Sequence, residues 1–126
     1  MLDTSPLTLV VERFADRLRA APQSRLQRGA AAEALELARE LAVRAQRLES
    51  AATAAGAAGA GAAPERVVPD AGIFVVGDQV AVAGLDLAEA LRATTAAPAP
   101  DDAKAPSAML DEAVRLVEQA EIRAMR

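Results

Sequence analysis

The chain has 126 residues, a formal net charge of −4, one Lys, and no Cys, His, Trp or Tyr. Those absences exclude disulfides, thiolate nucleophiles and an imidazole general base, together with the usual zinc or di-iron ligands and the best base-stacking side chains. Its 52% hydrophobic content consists of 34 Ala against 32 Val, Ile, Leu, Met and Phe together, so helix formers are abundant while large apolar side chains are modest in number.

In chain order, Thr4 or Ser5 followed by Pro6 is a helix start, because Pro fits the first turn where its missing N–H leaves no bond unmade. Leu7, Val11, Phe14 and Leu18 then share one stripe, and Pro22 ends the helix near Ala21. Ser24 with Gln27 has the spacing of a capping box opening a long second helix, about 25 to 53. On that helix Leu26, Ala30, Ala34, Leu37, Ala38, Leu41, Ala45 and Leu48 form an apolar face, which Ala31, Leu35 and Ala42 widen. Glu40 and Arg44, four apart on the other side, form a helix-supporting pair.

Gly56, Gly59 and Gly61 then interrupt an Ala run closed by Pro64, which predicts a flexible segment at about 54–66. They follow a helix and lack a Lys-Ser/Thr ending, so they do not read as a phosphate loop. A second segment, about 95–106, has three Pro and no apolar period and predicts another linker.

Between the linkers, Ile73–Leu91 fits two templates. A β-hairpin at 73–83 would turn on Gly77-Asp78 and pair Ile73 with Val82 and Val75 with Val80. A helix capped by Asp78 would put Val80, Ala83, Leu87 and Leu91 on one stripe, at the expense of an internal Gly84. The helix is preferred, because its stripe runs three turns and an isolated hairpin is marginal in water. The last helix, about 107 to 125, is capped by Ser107 and carries Leu110, Ala113, Val114, Leu116, Val117, Ala120 and Ala124 on a wide face; Glu121 intrudes into that face and Ile122 falls off it.

The expected fold is mainly α: a single helical domain, 1–126, forming a small bundle of three or four helices around a long antiparallel pair made by the second and last helices. No constellation of catalytic residues is present. Glu33, Glu36 and Glu40 share one helix side, but without His and with Arg39 and Arg44 interleaved they read as a solvated face, so no metal and no cofactor is expected. Arg13, Arg17, Arg19, Arg25 and Arg28 make residues 12–28 basic, and Arg25 and Arg28 are the residues to expect at an anion or a partner. An acidic whole argues against bulk nucleic-acid binding.

Function is therefore expected to lie in apolar surface. Leu35, Leu37, Leu41, Leu48, Leu116 and Val117 are the candidates for facing a partner, either another protein or a second copy in a homodimer. That reading makes the chain a non-enzymatic protein acting by protein–protein interaction, in regulation or assembly. The alternative is a small-ligand or lipid-binding helical module with an apolar pocket. The amino terminus has no basic region followed by an apolar run, and the uncharged run 50–64 is too short for a bilayer, so a cytoplasmic protein is expected, and the codon-like bias toward Ala, Arg, Gly, Val and Asp suggests a bacterial one.

Overall fold

The computed structural model describes residues 2–56, 67–94 and 105–126. Among them all regular structure is helical, and no strand occurs. Helix α1 spans Ser5–Ala20 with Pro6 in its first turn. Asp3 braces the entry: its Oδ1 accepts from the Ser5 N–H at 2.9 Å and from the Ser5 hydroxyl at 2.6 Å, and these two bonds hold its carboxyl below the usual carboxylate range. The expected stripe is buried: Leu7, Val11, Phe14 and Leu18 all face the core. The helix stops where Ala21 turns extended (φ −70, ψ 142), as the following Pro22 requires.

The second helix begins differently from the capping-box expectation. Ser24 lies inside a single turn, α2 (Gln23–Arg25), whose cap position is Pro22. A wide turn, Leu26–Ala30, follows, and within it Gly29 takes φ 146 and ψ −18, a conformation that only glycine adopts without strain. This break lets the chain swing into α3 (Ala31–Gly56) while Leu26 and Ala30 stay buried. The linker expectations at 54–66 and 95–106 fall largely on 57–66 and 95–104, outside the described residues.

The 73–83 hairpin does not form. A short turn closed by the Val75 N–H on the Gly72 carbonyl (3.3 Å) leads into helix α4 (Val76–Thr94). Val80, Ala83, Leu87 and Leu91 are buried, as the helical stripe requires. Two details differ from the helical expectation. Asp78 lies within the first turn, where its carboxylate accepts from Arg19 of α1 instead of capping the helix. Gly84 is the contact point with α1: a Cβ there would come within 2.5 Å of a Val11 methyl. With Gly77, seven residues earlier and itself tight against the Ala15 carbonyl oxygen, it gives α4 a smooth side on which α1 rests.

Helix α5 (Pro106–Ala124) starts two residues earlier than a Ser107 cap would dictate, with Ala105 at the cap position and Pro106 in the first turn. It is antiparallel to α3, because Arg123 pairs with Glu33 and Arg44 with Glu112. The predicted antiparallel pair exists. It is not the centre of the bundle, however, since the most extensive packing is α3 on α4, and α4 on α1 comes next. Each wide apolar face is thus covered within the chain, α3 by α4 and α5 together.

Candidate partner-binding groove

Between α3 and α4 runs an open groove of about 320 Å³, walled on its third side by Val67, Val68 and Pro69. Its depth follows from residue size. Ala42 and Ala45 on α3 face Ala83 on α4, so neither helix fills the space between them. The third wall is pinned from both helices. Arg39 donates from Nε to the Val68 carbonyl at 3.0 Å, and Gln79 donates from Nε2 to the Pro69 carbonyl at 2.8 Å.

The lips of the groove are apolar and uncovered. Val67 is 72% exposed and Val82 58%, although each belongs to a residue type normally buried. The polar groups of the lining are unevenly satisfied. Asp78 is held by Arg19, from Nε at 3.0 Å and from a terminal nitrogen at 2.7 Å. Among the described residues Asp86 has no hydrogen-bond or ion-pair partner. Gln79 is the more unusual case. Its Nε2 is committed to Pro69, which fixes the amide orientation, and its Oε1 is buried with no hydrogen-bond partner. An unsatisfied buried acceptor costs about 1–3 kcal/mol, and among the described residues this is the one buried side-chain polar atom without a hydrogen-bond partner.

The residues singled out from the sequence lie elsewhere. Leu37, Leu41 and Val117 are buried in the bundle's own core, and Leu35, Leu48 and Leu116 are partly buried against it. Leu37, Leu41 and Val117 pack on sister helices, because the wide arcs they belong to are shared between neighbours within the chain, while Leu35, Leu48 and Leu116 keep part of their surface exposed. Arg25 donates to the carbonyl of Arg126 at 3.3 Å, and Arg28 projects into solvent from the wide turn that contains Gly29. The two are not joined with Arg13, Arg17 and Arg19 into one patch: Arg13 and Arg17 turn to Glu121, and Arg19 to Asp16 and Asp78. Glu33 pairs with Arg123 and Glu40 with Arg44, while Glu36 is exposed. Among the described residues no group of three potential metal ligands comes together.

The groove residues were missed, although one signal for them was present. Val82 is a large apolar residue off the 80-83-87-91 stripe, and a helix whose buried stripe is already complete has no internal use for it. Val67 and Gln79 carried no such signal, since their role depends on which helix the chain passes after Pro69. No protein-family model matches the chain, and no curated protein and no solved structure matches it. No helix among the described residues is long and apolar enough to cross a membrane.

Proposed function

We propose that this is a non-enzymatic interaction protein, with a regulatory or assembly role, that receives a partner protein along the α3–α4 groove. The supporting observation is the pair of uncovered valines, Val67 and Val82, standing on either side of a groove floored by alanines. Large apolar side chains rimming a concavity are what a docked segment covers, whereas scattered exposed ones need no explanation. Catalysis finds no support in the lining, whose ionisable groups are two aspartates without a neighbouring base or nucleophile.

A second copy of the chain was an attractive partner on sequence grounds, but it fits this face poorly. Outward-facing α4 carries Asp86 and Glu89 beside the Arg19-paired Asp78, and a two-fold contact centred on this face would bring two acidic surfaces together. A different protein is therefore the partner proposed, in the cytoplasm of a bacterium as the sequence reading expects. The test is capture from an extract of the native host by the immobilised protein, wild type against a Val67→Ser/Val82→Ser double variant. Capture by the wild type alone, with both proteins unfolding at the same temperature, is expected; equal capture by the two overturns the assignment of the groove. The groove volume also lies within the range of small-molecule sites, which favours a small apolar ligand as the second reading. Native mass spectrometry of freshly purified protein showing a retained mass would turn the assignment to that reading.

A further inference from the structure

Resting on the interaction reading above, we infer that the segment docking in the α3–α4 groove is amphipathic and basic, and that a Lys or Arg side chain is its anchor. The groove offers apolar walls and one carboxylate, Asp86, in need of a donor. Its floor and lips are Ala42, Ala45, Ala83, Val67 and Val82, a surface suited to the methylene stem of a long cationic side chain. The donor end of Gln79 is occupied by the Pro69 carbonyl, while its Oε1 is buried and unpartnered. Asp86, in the same lining, has no partner among the described residues. An ammonium or guanidinium brings donors and no acceptor, so it satisfies Asp86, whereas a carboxylate or phosphate would add acceptors to acceptors.

The field around the groove points the same way. Asp86 and Glu89 share the outward side of α4, where Asp78 is already paired with Arg19 and Arg39 is engaged on the Val68 carbonyl, and the whole chain carries −4, so a cationic segment is favoured over an anionic one. The same charges disfavour a second copy presenting this face, as noted above, and nucleic acid. What remains is a partner helix or strand with apolar residues on the Val67 and Val82 lips and one cation directed toward Asp86.

Two short capped peptides with leucines at helical spacing, one with Lys and one with Glu at every other position, provide the test. Each is titrated into the full-length protein at physiological salt, and backbone amide shifts are followed. The Leu/Lys peptide is expected to shift the amides of Ala42, Val67, Gln79, Val82 and Asp86 and to bind at least about tenfold more tightly than the Leu/Glu peptide. Asp86→Asn, an isosteric change at a partly exposed site, is expected to bring that ratio toward unity without altering the fold. Equal binding of both peptides in the groove, or a preference untouched by Asp86→Asn, overturns the cationic anchor and leaves the interaction reading standing on the capture experiment. Shifts spread over the whole acidic surface, or no binding of the Leu/Lys peptide, overturn the inference too. So do concentration-dependent shifts at the groove amides without peptide, which would identify a second copy as the occupant.

Discussion

Glu121 shows how one buried charge is accommodated. Its side chain is 7% exposed, yet the guanidinium of Arg13 grips it from Nε (3.2 and 3.3 Å) and from a terminal nitrogen (2.7 Å), with Arg17 at 3.5 Å. The two Arg side chains are 54% and 56% exposed, so the cations keep most of their hydration while the carboxylate loses its own. The desolvation penalty falls on one partner, and an apolar residue of similar size would avoid it. Glu121→Leu is therefore expected to unfold at the same or a higher urea concentration than the wild type. Glu121→Ala, which leaves a cavity as well, should lose about 1–3 kcal/mol in the same measurement. In the sequence Glu121 was visible only as an interruption of an apolar arc, because its partners lie 104 and 108 positions away on α1.

At the scale of elements, the contact of α1 with α4 depends on the absence of side chains. Gly77 and Gly84 are two helical turns apart, on the same side of α4, and Val11 sits directly over the second. In a free helix Gly84→Ala would gain about 1 kcal/mol of helix propensity. Here the added Cβ would lie 2.5 Å and 2.7 Å from the two Val11 methyls, so overpacking of about 1–3 kcal/mol prevails and the variant is expected to be less stable. Val11→Ala removes both methyls. In the double variant the Gly84→Ala penalty should shrink or change sign, a coupling of about 1 kcal/mol or more by denaturant unfolding of the four proteins, and strictly additive losses would refute the crossing geometry. The same contact explains why the 73–91 segment fits two templates. Scored by propensity, Gly84 counts against a helix, and only the neighbouring helix turns it into a requirement.

For the molecule as a whole, alanine sets the spacing. Twelve of the twenty-five buried apolar residues among those described are Ala, and they lie on all four long helices. Small side chains let helices approach closely, which covers the wide faces of α3 and α5 within the chain and leaves the groove where alanines face one another without a third helix above them. Added volume at such a position cannot be absorbed. Ala38→Leu, at a fully buried site on α3, should lower stability by about 1–3 kcal/mol, whereas Ala32→Leu on the exposed side of the same helix should change it by about 0.5 kcal/mol or less. Urea denaturation of the two variants checks both values; equal effects would mean that the α3 core is loosely packed.

The sequence alone determined the helical class, the extents of α1 and α5 to within a residue or two, their buried stripes and the Glu40–Arg44 pair, and it removed the commonest catalytic and metal-binding chemistries. These are local properties, set by 3.6-residue periodicity, Pro placement and the side-chain inventory, and they do not depend on what the helix packs against. Only the tertiary structure decided that α4 sits at the centre, that the large residues of α3 and α5 turn inward, and that Val67, Gln79, Val82 and Asp86 meet along one groove. Periodicity reveals that a helix has an apolar face but not how many neighbours cover it, because that count depends on close approaches between residues dozens of positions apart.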